Sequence, residues 1–199
     1  MIASIRGTVI DIGLDRCVIE TGGVGVLVHA TPPALSGLRR GDEGQLHTEL
    51  VVREDSLTLY GFDSVEARTL FTTVQTVSGV GPRLALAVIA TLEPAALVTA
   101  LGSGDLKSLT LVPGVGRRTA ERMVLELKDK VGAIDVPGSA GAEMPAVSAG
   151  PESEVATALE GLGFTTEEAS KAAGAVIAEK PGIDPSTALR LALKSLGKR

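Results

Sequence analysis

The sequence predicts an α+β multidomain protein: a small closed β-barrel of the OB type at residues 1–62, a helical domain at 63–135, a linker at 136–151 and a three-helix bundle at 152–199. Three observations predict it. The first third is a series of short runs rich in β-branched residues; the middle third holds a tandem repeat with helical periodicity; a stretch of Pro, Gly, Ala and Ser then separates a last helical segment.

The barrel is read from five or six short strands within about 60 residues, at 2–6, 8–12, 16–21, 24–30, around 46–52 and 56–60. Gly22-Gly23 between two of these runs is a strong two-residue hairpin signal. Leu46, Thr48, Leu50 and Val52 alternate with polar or opposite-face residues. So many short strands in so few residues close most readily into a barrel, which leaves no exposed edges.

After Phe62 the period changes to helical. Asp63 is a candidate N-cap, with Glu66 three positions on completing a capping box. Helical periodicity continues to about Val131. Segment 136–151 (VPGSAGAEMPAVSAGP) has the composition of a flexible linker. Beyond it come three helical signals: about 152–160, ending at Gly161; a helix from Thr165 with Glu168 closing a capping box; and a helix with Asp184 as N-cap and Pro185 in its first turn.

The 199 residues carry a net charge of −5, unpromising for a nucleic-acid binder. Its distribution is more telling. Residues 1–63 sum to −4, residues 64–135 to +1 and residues 136–199 to −2, so the helical domain is the least acidic part. Its arginines cluster just after the glycine motifs described below. Tyr60, Phe62, Phe71 and Phe164 are the only aromatics. A chain with so few stacking platforms is poorly equipped to hold single strands and should engage nucleic acid through phosphates and shape. The single cysteine, Cys17, excludes an internal disulfide and reads as a small buried apolar residue. No apolar run approaches the ~18–20 residues of a membrane span, and no signal-peptide pattern is visible. The expectation is a soluble, cytoplasmic protein.

The chemistry lies in the repeat. Residues 71–92 (FTTVQTVSGVGPRLALAVIATL) and 106–127 (LKSLTLVPGVGRRTAERMVLEL) align at an offset of 35. Gly79-Val80-Gly81 matches Gly114-Val115-Gly116, Val77 matches Val112, Arg83 matches Arg118 and Ala85 matches Ala120. Each unit reads as helix, tight glycine hairpin, helix. The first glycine can take a backbone conformation closed to other residues, and the second lets the main chain approach another surface. The following helix offers free N–H groups and the positive end of its dipole at one spot, which is an anion site. Pro82 suits the first turn of the helix. Arg83 in the first copy, and Arg117, Arg118 and Arg122 in the second, add cations. One Gly-x-Gly is weak evidence; two in register, each followed by Arg, point to the phosphate backbone of duplex DNA, gripped across the minor groove without base readout.

Other chemistries find little support. There is no Gly-x-x-x-x-Gly-Lys-[Ser/Thr] phosphate loop, so ATP hydrolysis and catalysis are not expected of this chain. No Cys/His cluster suggests a metal, and His29 and His47 are isolated. A glycosylase or nuclease remains an alternative, since the same hairpin units occur in such enzymes, as does a general duplex tether within a repair assembly.

The repeats look like tandem helix-hairpin-helix motifs. With VREDSLTLYGF at 52–62, VPGVGRRTAERMVLELKDK at 112–130, the barrel, the linker and the C-terminal bundle, the whole chain resembles the RuvA family, DNA-binding subunits of bacterial Holliday-junction branch-migration complexes. That resemblance implies a homotetramer with a flat face toward an open four-way junction, serving recombination, DNA repair and the SOS response. It assigns Glu54 and Asp55, in a turn between two strands, to an acidic pin at the crossover. It also implies that a UBA-like C-terminal domain docks on RuvB, a hexameric ring ATPase, with Leu159, Leu162, Phe164 and Leu193 as candidate contacts. A junction-resolving nuclease is a further implied partner. No cofactor is expected in the chain itself, ATP and Mg being used by the motor.

Overall fold

The structure, a computed structural model, describes residues 2–132, 134, 151–180 and 182–196. It divides into two compact units, residues 1–141 and 142–199. Most of the linker segment, 136–150, lies outside the described residues.

Five strands form a closed barrel: β1 (Ser4–Ile12), β2 (Arg16–Thr21), β3 (Val24–Ala30), β4 (Glu43–Val52) and β5 (Leu57–Phe62), hydrogen-bonded in the order β1-β2-β3-β5-β4 and back to β1. All neighbours are antiparallel except β3 and β5, paired in parallel from Val28↔Leu59 to Ala30↔Gly61. Gly22 and Gly23 turn the β2–β3 hairpin at φ +59° and +81°, as their spacing predicts. A short helix, α1 (Pro32–Ser36), bridges β3 to β4. Ile5, Val9, Cys17, Ile19, Val28, Leu46 and Leu59 fill the interior. Burial pushes the Cys17 thiol up to about 11, so it stays protonated and apolar.

The expected pair of strands at 2–6 and 8–12 is one continuous strand. Gly7 does not break it. A Cβ there would lie 2.0 Å from the Glu20 carbonyl oxygen, so glycine is needed where the β2 backbone approaches β1 this closely. The ladder to β2 shifts register between Val9 and Asp11, where β1 carries a bulge.

The helical part of this unit comprises α2 (Val65–Val74), α3 (Pro82–Thr91), α4 (Pro94–Ser103), α5 (Leu106–Leu109) and α6 (Arg117–Val131). The N-cap of α2 is Ser64, not Asp63: the Ser64 hydroxyl accepts from Ala67 N–H at 3.1 Å, which leaves Glu66 one residue short of the capping-box position. The helices bury Leu70, Phe71, Leu97, Leu101, Leu109, Met123 and Leu127. Tyr60 and Phe62, on the last barrel strand, belong to this core and not to the barrel's. Phe71 of α2 packs at 5.0 Å from Tyr60 and 4.9 Å from Phe62, ring centre to ring centre. Barrel and helices are thus joined through three of the chain's four aromatics.

The second unit contains α7 (Pro151–Gly161), α8 (Thr166–Glu179) and α9 (Pro185–Leu196). Pro151 already lies in α7. Val155, Leu159, Ala169, Ala172, Ala173, Val176, Ala188 and Ala192 form its core, which is alanine-rich and small. Two predicted caps are in place. Thr165 and Glu168 form a reciprocal capping box, and Asp184 accepts from Thr187 N–H at 3.0 Å.

Two outcomes follow. Phe71→Ala removes the ring shared by the barrel and the helices and should destabilise the first unit by about 3–5 kcal/mol, read as a lower urea midpoint, with amide protection in α8 unchanged. Bonds from Thr187 and Ser186 hold the Asp184 carboxyl down at about 2, against an ordinary 3.8. A carboxyl lowered in the folded state contributes stability above its unfolded value, and that contribution is lost as pH falls through the folded value. Amide protection in α9 should therefore fall between about pH 4 and pH 2, more steeply than in Asp184→Asn, which keeps a cap but cannot titrate.

Candidate nucleic-acid interface

The two glycine hairpins have the same backbone. Gly79 and Gly114 take φ +87° and +89°, in the left-handed region. Gly81 and Gly116 are extended N-caps, at φ −87°, ψ 172° and φ −82°, ψ 168°. Val80 N–H donates to Val77 O at 3.0 Å, and Val115 N–H to Val112 O at the same distance. Ala85 N–H reaches Gly81 O, and Ala120 N–H reaches Gly116 O, both at 2.9 Å. Val77, Val80, Val112 and Val115 point into the core. The middle valine of each Gly-Val-Gly is therefore an anchor. The flanking glycines stay exposed, and α3 and α6 each start from a glycine whose missing side chain leaves the first N–H groups open, one fewer in α3 because Pro82 has no N–H.

The hairpins interlock. A Cβ on Gly114 would lie 3.1 Å from Leu84 Cδ1 of α3, and one on Gly79 would lie 3.6 Å from Arg122 Nη1 of α6. Each hairpin is thus touched by the helix of the other repeat.

Arg83, Arg117, Arg118 and Arg122 are all exposed. They are not equivalent. Arg117 Nε pairs with Glu121 at 3.0 Å along α6, an exposed pair worth little in water. Arg122 Nη1 donates to Ser78 O at 2.8 Å. The structure adds one cation that sequence reading passed over. Arg53, just after β4, has Nη2 3.9 Å from the Cβ position of Gly81. It lines, with Asp15, Asp55, Gly81, Pro82 and Arg83, a cavity of about 720 Å³ between barrel and first hairpin. Its only signal in the sequence was its place immediately before Glu54.

Glu54 and Asp55 form the exposed β4–β5 turn, closed by Arg53 N–H donating to Ser56 O at 2.8 Å. They protrude from the same unit that carries both hairpins. Among the described residues no group of three or more His, Cys, Asp or Glu could hold a metal ion, and no single helix is long and apolar enough to cross a membrane.

In the second unit the four candidate contacts separate. Leu159 is fully buried and belongs to the core, so in the free chain its side chain is out of a partner's reach. Phe164 and Leu193 are half-buried against that core. Leu162, 60% exposed in the α7–α8 turn, is the one whose side chain is offered outward.

Comparison with known proteins matches these parts in order. The RuvA N terminal domain family covers residues 1–61, the SAM-like Helix-hairpin-helix tandem family residues 71–129, and the RuvA, C-terminal domain family residues 150–197. Curated relatives align along the full chain. Holliday junction branch migration complex subunit RuvA of Nocardia farcinica is 55% identical over all of this chain and 99% of its own length. Those of Rhodococcus erythropolis and Mycolicibacterium smegmatis are 54% and 53% identical, covering all of this chain and 99% and 100% of their own. With family matches on the barrel, the hairpins and the C-terminal bundle, and relatives more than half identical from end to end, the chain belongs to the RuvA family.

Proposed function

We propose that this chain binds four-way DNA junctions through their phosphates, without reading base sequence, as the non-catalytic subunit of a branch-migration complex. The carrying observation is the pair of hairpins with matching backbone geometry. Two N-terminal helix ends in one rigid unit offer N–H groups and positive dipole ends to two phosphates at a set separation. Arg83 and Arg118 lie at equivalent positions beside them, Arg117 adds a third charge, and Gly79, Gly81, Gly114 and Gly116 let the duplex come close. None of these groups distinguishes one base from another.

The acidic turn favours a junction over plain duplex. Carboxylates near phosphates repel them, so Glu54 and Asp55 weaken general affinity. Placed where strands exchange, the same repulsion would part them into different arms. We further propose a fourfold homotetramer, which would set four hairpin pairs around one crossover, one per arm. The relatives are named as subunits of a complex. In that reading the motor is a RuvB-type ring ATPase that uses ATP and Mg, and the C-terminal unit meets it through the exposed Leu162 with Phe164 and Leu193 beside it.

Gel shifts on a four-way junction and on linear duplex of equal length, at several salt concentrations, test the reading. The junction should bind more tightly, and affinity should fall steeply with salt. Arg118→Ala should lower the slope of log K against log[salt] by about one, the signature of a lost phosphate contact. Equal affinity for both DNAs would overturn the junction assignment. Glu54→Gln with Asp55→Asn should leave junction binding intact or tighter while altering branch migration by the assembled complex; loss of binding would remove the pin from the mechanism.

A further inference from the structure

Arg122 differs from the other cations of the second repeat. Its counterpart 35 residues earlier is Ala87, so the two copies are not interchangeable there. It lies on α6, yet its guanidinium donates to Ser78 O in the first hairpin, at 2.8 Å and across 44 residues. About two turns further along α6, Lys130 Nζ donates to Thr76 Oγ1 at 3.3 Å. Two cations of α6 therefore grasp the first hairpin and the segment leading into it. Leu84 completes the arrangement from the other side by seating against Gly114.

We propose that Arg122 is a positioning residue: it holds the carbonyl edge of the first hairpin against the second repeat, and so sets the spacing at which the two anion sites face DNA. The physical reasons are two. Val77 and Val80 anchor the hairpin from the core side, while Gly79, exposed at φ +87°, has no side chain of its own to pack, so the bond from Arg122 is a second hold on the outer edge. The Ser78 carbonyl is also the negative end of a dipole close to a site meant for phosphate, and a guanidinium bonded to it neutralises that end. An arginine offers several donors in a rigid fork, so one side chain can do both. Lys130, tied to a side-chain hydroxyl, is the weaker link.

This inference rests on the reading that the hairpins hold duplex, but its first measurement does not. In the full-length chain without DNA, Arg122→Ala should speed exchange of the Val80 amide about tenfold, while that of Val115 is unchanged. Junction affinity should fall about tenfold. The slope of log K against log[salt] should stay that of the wild type, unlike the loss of about one expected of Arg118→Ala. Unchanged Val80 exchange, or a slope that falls as far as in Arg118→Ala, would overturn the positioning role. If the wild-type chain shows no preference for junctions, the functional reading fails, while Val80 exchange still decides whether Arg122 holds the hairpin.

Discussion

The packing of Phe71 against Tyr60 and Phe62 is the contact on which the rest of the first unit depends. A five-stranded barrel of this size has room for a modest interior, and here two of its largest side chains leave it. They leave from the last strand, β5, which leads directly into α2. The barrel's exit is therefore also the nucleus of the helical core. Glu54 and Asp55 project from the turn that precedes β5, and the hairpins follow α2. The aromatic cluster thus places an acidic turn and two glycine hairpins in one compact unit.

Within that unit, the proposed DNA binding relies on backbone more than on side-chain charge. The chain is acidic overall, and of the arginines that follow the two glycine motifs Arg117 and Arg122 are engaged with Glu121 and Ser78. Two helix N-termini are fixed partial charges that need no counter-ion and lose no rotamer freedom on binding. They are positioned by buried valines, two to a hairpin, at Val77 and Val80 and at Val112 and Val115. Apolar burial holds the loop and glycine opens it, so the polar groups of the loop remain turned outward.

The C-terminal unit is built differently. Its core is mostly alanine, its caps are strong, and its exposed leucine lies in a turn. A bundle with little apolar volume relies more on helix ends, which is why the Thr165–Glu168 box and the Asp184 cap matter there.

Much was legible in the sequence because it is local. Gly-Val-Gly at two places 35 residues apart specifies two hairpins, Gly22-Gly23 specifies a turn, and Thr165, Glu168, Asp184 and Pro185 specify helix starts. Each depends on backbone conformations allowed to a few neighbouring residues. What the tertiary structure alone decided is long-range. Gly7 looked like a break between strands, and only the approach of the Glu20 carbonyl shows it to be a point of close backbone contact within one strand. Asp63 and Ser64 are both good caps, and the geometry of chain entry into α2 chose Ser64. Leu159 and Leu162 are equally apolar, and only packing buries one and exposes the other. Arg122 had the composition of a phosphate contact, and its bond to Ser78 exists because two repeats, each complete by itself, fold against one another.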